Sequence, residues 1–404
     1  MKTIVGGVTA PRGYTAAGIH AGIKREKRDL ALICSERPAA CAGCFTQNVV
    51  KAAPVLWDME HFKNPIRGIA VTSGNANACT GEQGLLDTRE IAESFAREIG
   101  APPEDVLVCA TGVIGVPLPM DVILKGIRAA RPALRGGAQA AEDAAAAICT
   151  TDTVPKQVAV ELVLGGKTVT IGAMAKGSGM LHPNMATLLA FVTTDAAISR
   201  ELLQAALSGS VKDSYNMISV DGDTSTNDTI LALANGMAGN AELTRGSPDY
   251  ARFQQALRFV NESLAKALVR DGEGATKLIE AVVQGAATPE DARALCKSVI
   301  SSNLVKTAMF GEDANWGRVL CAMGYSGAKF DPEAVSLRFA SRAGEVPLLR
   351  EGKPIPFDEN LASAVLKERE IQILIGLSEG GASAVAWGSD LSYDYIKING
   401  SYRT

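Results

Sequence analysis

Apolar and polar positions alternate most cleanly over residues 157–164 and 167–175. The two runs flank Gly165-Gly166, and the pattern predicts a β-hairpin. Residues 18–24, 29–34, 68–71 and 106–110 read as short strands, and the third ends in the turn cluster Thr72-Ser73-Gly74-Asn75. Helical spacing marks residues 84–99, through Leu85, Ile91, Phe95 and Ile99, with Gly100 as the stop. Residues 120–130 and 138–148 also read as helices. Beyond residue 196, helices are expected over 198–207, 248–270 and 289–304, and strands over 229–234, 277–283, 335–339 and 371–377. The turn-rich stretch 284–289 suggests a boundary. The reading is mixed α and β in three segments, 1–196, 197–284 and 285–404.

Composition narrows the class. The chain has 404 residues, 47% of them hydrophobic and 21% charged, an ordinary globular balance. Its 40 glycines point to tight turns and close backbone approaches, and disorder, collagen and coiled coil are excluded. The net charge is −4, aromatics are 5%, and the one basic cluster, 24–28, is interrupted by Glu26, so nucleic acid is not an expected partner. The apolar runs are too short for a membrane span, and the first residues lack the apolar stretch of a signal peptide. A cytoplasmic protein is expected.

Candidate chemistry starts with what fails. Eight cysteines lie scattered in apolar segments and read as buried free thiols. Cys41-Ala-Gly-Cys44 would need a second pair or nearby histidines to bind zinc, and the chain has three histidines, at 20, 61 and 182. No P-loop, GxGxxG, GxSxG or HExxH is present. The segment 221–228, DGDTSTND, begins like a calcium loop but has Thr226 where the sixth-position glycine belongs. A turn of Asx and Ser/Thr hydrogen bonds is the commoner outcome there. Residues 172–195 are unusual: a strand ends at Ala175, a loop with Lys176, His182 and Pro183 follows, and Ala186-Thr187 opens a second apolar run. A threonine hydroxyl needs an adjacent base to act as a nucleophile. Cutting the 186–187 bond would supply one, the α-amine of Thr187 itself. On residue types alone, a threonine opening a buried strand is the favoured explanation of the segment.

The stretch 176–187, KGSGMLHPNMAT, resembles the self-cleavage site of the ornithine acetyltransferase family, the glutamate N-acetyltransferases of arginine biosynthesis. The resemblance runs along the chain through 73–81, SGNANACTG; 110–115, ATGVIG; 150–153, TTDT; 219–228, SVDGDTSTND; 270–276, RDGEGAT; 310–318, FGEDANWGR; and 398–404, INGSYRT. Cys41 and Cys44 depart from the small or apolar residues expected in relatives.

The resemblance implies a layered α-β-β-α sandwich with smaller α+β units towards the C-terminus. It implies self-cleavage between Ala186 and Thr187, with Thr187 then carrying acetyl from N2-acetyl-L-ornithine to L-glutamate. Thr111 and Gly112 match the oxyanion hole. Thr150, Lys176, Glu273, Asn399 and Thr404 match substrate contacts, along with Thr187. No bound metal or organic cofactor is expected, and acetyl-CoA is left open as a second donor. The two fragments are expected to stay together as an α2β2 assembly. The alternative is a self-cleaving aminopeptidase or amidohydrolase, in which water replaces glutamate as the acceptor.

Overall fold

The computed structural model describes residues 1–182 and 188–401. Strands through residue 234 are β1 (Lys2–Ile4), β2 (Tyr14–Ile19), β3 (Leu30–Phe45), β4 (Ile66–Asn75), β5 (Val106–Val113), β6 (Lys156–Leu164), β7 (Lys167–Lys176), β8 (Leu189–Thr194), β9 (Ile218–Ser219) and β10 (Thr229–Ala234). All but β9 form one sheet in the order β1-β6-β7-β8-β10-β3-β4-β5, with β2 also paired to β3. The long β3 joins its two halves. Residues 30–34 pair with β2 and β4, residues 40–45 pair with β10, and the register against β4 slips between Cys34 and Ala39. The exposed Glu36-Arg37-Pro38 lies at that slip, where proline removes a ladder donor.

The two halves fold against each other. Period-two alternation shows it: Leu189 and Phe191 of β8 share a core with Leu107 and Cys109 of β5, while Ala190 and Val192 face the opposite way. Helices α1 (Ala53–His61), α2 (Gly81–Ile99), α3 (Met120–Ala130), α4 (Ala138–Ile148), α5 (Arg200–Asp213) and α6 (Pro248–Arg270) dress this sandwich. Ile91 and Phe95 of α2 and Ile123 and Ile127 of α3 cover one outer face. Leu203 and Leu207 of α5 and Phe253 and Leu257 of α6 cover the other. The layers are therefore α-β-β-α, as the resemblance implied. Alanines 144, 145 and 147 of α4 fill the inner core.

A second sheet follows: β11 (Leu278–Ala286), β12 (Ser336–Ser341), β13 (Gly344–Arg350), β14 (Lys353–Pro354), β15 (Glu370–Gly376) and β16 (Ala382–Ser389). Its order is β14-β13-β12-β15-β11-β16-β9. Its helices are α7 (Pro289–Ser301), α8 (Asn303–Phe310), α9 (Trp316–Gly324), α10 (Glu359–Leu366) and α11 (Tyr393–Ser401). Strand β10 lies in the segment 197–284, yet it is hydrogen-bonded between β8 and β3.

Four local readings change. Residues 72–75, expected as a turn cluster, are the last residues of β4, paired with β5. Residues 21–24 are not strand: the buried Asp29 carboxylate accepts from the N–H groups of Ala21, Gly22 and Lys24 at 2.5, 3.1 and 2.9 Å, curling the chain around it. The helix read over 289–304 is two helices, because Ser302 leaves helical geometry (φ −70°, ψ 114°) and caps α8 from its side chain. The strand read over 29–34 continues to Phe45. The 165–166 hairpin has positive φ at both glycines, 55° and 75°, as a tight turn matching strand twist requires.

Candidate active site

Two strand ends start the site. At the end of β5, the register with β4 shifts around Gly74 and Asn75, opposite Thr111 and Gly112. Gly112 has φ +134°, and a Cβ there would lie 2.3 Å from the Gly74 carbonyl carbon, so no other residue fits without moving the backbone. Asn227 steadies this corner by donating from Nδ2 to the carbonyls of Ala76 (2.5 Å) and Ala110 (2.9 Å).

At the end of β7, Lys176 is 9% exposed. Its Nζ donates to Thr150 Oγ1 at 2.8 Å and to Thr111 Oγ1 at 3.0 Å. A hydroxyl accepting from an ammonium has its own proton left to point elsewhere, and polarisation makes it a better donor. Beneath this pair, Asp152 accepts from the N–H groups of Thr150 (3.1 Å) and Gly177 (2.9 Å). Burial pushes the Asp152 carboxyl up, but the Lys176 and Lys156 cations outweigh it and hold it at about 2.

The facing wall comes from later in the chain. Glu273 accepts from Asn399 Nδ2 of α11 at 2.8 Å, and its N–H donates to the Ser178 carbonyl at 2.8 Å. Gly179 permits that approach, since a Cβ there would lie 2.3 Å from the Glu273 carboxylate. Asp221 accepts from the N–H groups of Met180 (2.6 Å), Leu181 (2.8 Å) and Asp223 (3.2 Å), and from the Tyr395 hydroxyl at 3.3 Å. Asp221, the first carboxylate of 221–228, thus serves as an acceptor for backbone N–H groups, and among the described residues no group of three or more His, Cys, Asp or Glu is placed to hold a metal ion. His182, next along, meets Ser219 Oγ at 2.9 Å. Burial and the Lys297 cation push its imidazole down to about 4.

Thr111, Gly112, Thr150, Lys176, Glu273 and Asn399 line one cavity of about 200 Å³. Asp221, Asp223 and Asp228 join Glu273 there, and among the described lining residues Lys176 is the one cation, a balance suited to a cationic ligand. Ala186, Thr187 and Thr404 lie outside the described residues. Leu188, which follows Thr187, lines the cavity. Asp152, Tyr395 and Asn227 were not singled out by the sequence reading, although Asp152 and Asn227 lie inside the 150–153 and 219–228 motifs. Cys41 and Cys44 face different cores, one with Leu231 and Leu233 and the other with Ile230. Burial pushes both thiols up, Cys44 to about 11, so the pair has neither the geometry nor the thiolate character of a zinc or redox site.

A model of the ArgJ family matches residues 15–404. The arginine biosynthesis bifunctional protein ArgJ of Symbiobacterium thermophilum is 56% identical over 410 residues, covering 100% of both chains. Its namesake from Caldanaerobacter subterraneus subsp. tengcongensis is 53% identical, again over 100% of each. Among solved structures, arginine biosynthesis bifunctional protein ArgJ of Bacillus halodurans is 45% identical with a TM-score of 0.50, and the match covers 98% of that chain and 52% of this one. Matched by the family model along nearly all its length, and by relatives of more than half identity from end to end, this chain belongs to the ArgJ family.

Proposed function

We infer that the protein is a glutamate N-acetyltransferase of arginine biosynthesis. It takes acetyl from N2-acetyl-L-ornithine and gives it to L-glutamate, yielding L-ornithine and N-acetylglutamate. The observation that carries this reading is the convergence of all six described candidate residues on one cavity next to Leu188.

The chemistry is a two-step exchange. The Thr187 hydroxyl attacks the acetamide carbon of N-acetylornithine, and its α-amine takes the hydroxyl proton. The developing oxyanion is held by the Thr111 hydroxyl, which accepts from Lys176 at 3.0 Å and so has its proton to donate, and by the Gly112 N–H. The C–N bond breaks as the amine base returns its proton to the departing ornithine nitrogen. Glutamate's amine then attacks the acetyl ester, and the Thr187 oxygen leaves with a proton. Glu273 pairs with an amino group of the substrate, and Thr150, Asn399 and Thr404 complete the contacts. This cycle uses no bound metal or organic cofactor.

Free Thr187 arises by self-cleavage at 186–187. The Bacillus halodurans chain, matched over 98% of its length, covers only 52% of this one, about the size of a 187–404 fragment. The two fragments stay together, and α2β2 is the proposed assembly, in the cytoplasm. No helix among the described residues is long and apolar enough to cross a membrane. The relatives' name says bifunctional, and acetyl-CoA is the proposed second acetyl donor. Hydrolysis is less favoured, because the relatives are named for arginine biosynthesis.

Intact mass and N-terminal sequencing of denatured protein test this. Wild type should give fragments 1–186 and 187–404, Thr187→Ala one uncut inactive chain, and Thr187→Ser partial cleavage. An uncut, fully active wild type would overturn the mechanism. Glutamate assayed with each donor separately decides the acetyl-CoA question.

A further inference from the structure

One buried cation joins the two walls of the cavity. Lys156, at the start of β6, donates from Nζ to Asp152 Oδ1 at 2.6 Å, to Asp271 Oδ2 at 2.5 Å and to the Val154 carbonyl at 3.3 Å. The three charged side chains are 2%, 0% and 9% exposed, so solvent screens them little. Each carboxylate also holds backbone. Asp152 accepts from Thr150 N–H and from Gly177 N–H, the residue after Lys176. Asp271 accepts from Thr153 N–H at 3.0 Å and caps the C-terminal end of α6, two residues before Glu273. The lysine therefore ties the Thr150–Lys176 corner to the loop that carries Glu273, across 115 residues of sequence.

We propose that Lys156 is a positioning residue for acetyl transfer: it fixes the separation between the Lys176 corner and Glu273, and with it the side-chain length of the acetylated diamino acid that the site accepts. This rests on the reading that Glu273 pairs with an amino group of the substrate. Without the ammonium, two buried carboxylates face each other with nothing between them. Their repulsion is relieved by moving apart or by taking up a proton, and either change shifts one wall against the other. A substrate one methylene longer or shorter is discriminated only while that span is held, a difference ordinarily worth about 10–200-fold.

The test uses full-length Lys156→Met, Lys156→Arg, Asp271→Asn and Glu273→Gln enzymes. Each is assayed with glutamate as acceptor and either N2-acetylornithine or N2-acetyllysine as donor. Lys156→Met should raise KM for N2-acetylornithine about tenfold and cut its kcat/KM preference over N2-acetyllysine about tenfold, with kcat within about threefold. Lys156→Arg, which keeps the charge, should keep the preference within about threefold. A purely structural lysine would lower the melting temperature and leave the preference alone. Should Lys156→Met fail to fold, Asp271→Asn, nearly isosteric and one charge poorer, reads the same ratio. Unchanged KM and preference in the folded variant overturns the proposal. If Glu273→Gln raises KM while the bridge variants do not, the proposal fails and the reading of Glu273 stands. If Glu273→Gln has no effect on KM, that reading fails and takes the proposal with it.

Discussion

The two walls of the cavity are built differently. Thr111, Gly112 and Lys176 sit at the ends of β5 and β7, inside the hydrogen-bonded sheet, and the Lys176 ammonium locks the hydroxyls of Thr111 and Thr150 together. The opposite wall, Asp221, Glu273, Tyr395 and Asn399, stands on loops and on α11, a helix with no buried residue. Strand ends cannot shift without breaking ladder bonds, whereas a helix without a buried face opens at little cost. In the proposed mechanism charge develops at the rigid wall, where donors must already be in place. In that reading the second wall meets the substrate, and there α11 has room to adjust while the Lys156 bridge holds the loop that carries Glu273.

The sharpest way to break that contrast is at Thr111. Thr111→Ala should lower kcat about 10²–10³-fold with KM little changed, as for loss of one oxyanion donor. Steady-state rates measure it, and a variant with full kcat would move the oxyanion hole elsewhere. A middle effect belongs to Asp152, which braces the rigid wall. Its carboxyl is held at about 2 when folded against an ordinary 3.8, so on acidification the unfolded chain takes the proton first. Its contribution, about 2 kcal/mol, is complete above about pH 4 and drains away towards pH 2. Urea midpoints at pH 5 and pH 3 should therefore differ less in Asp152→Asn than in wild type. The smallest effect is expected at Asn399. Losing its 2.8 Å bond to Glu273 should raise KM for N2-acetylornithine about two- to fivefold and leave kcat alone. An Asn399→Ala defect in kcat as large as that of Thr111→Ala would erase the distinction between the walls.

Legibility in the sequence follows the same division. Helices α3 and α4 begin and end where their apolar spacing says, because each buries one regular face, and β10 matches its run because it is buried on both faces. The strand expected over 29–34 is too short because the polar Ser35-Glu36-Arg37-Pro38 breaks the apolar run. That stretch is continuous strand, with Ser35 buried and Glu36-Arg37-Pro38 exposed, where the chain passes between two halves of a sheet. Helix α11 has no periodic signal to find, since none of its residues is fully buried. The candidate residues were legible only through resemblance: a lysine after a strand and a glutamate in a glycine-rich loop have many bland explanations. The Asp152–Lys156–Asp271 bridge was beyond reach, because its partners meet only after the chain has folded.

The sheet order has a consequence for a chain cut between residues 186 and 187. Strands β8 and β10 belong to the later piece, yet they lie between β7 and β3 of the earlier one. Six residue pairs join β7 to β8 and six join β10 to β3. The product would be an interleaved pair, and separating it means unzipping the middle of the sheet along both seams. Made alone, the earlier piece would present two raw apolar edges at once, the kind that recruit foreign strands. For such a chain the uncut precursor would be its own folding template, its bond threading the strands into place and becoming dispensable once they are there.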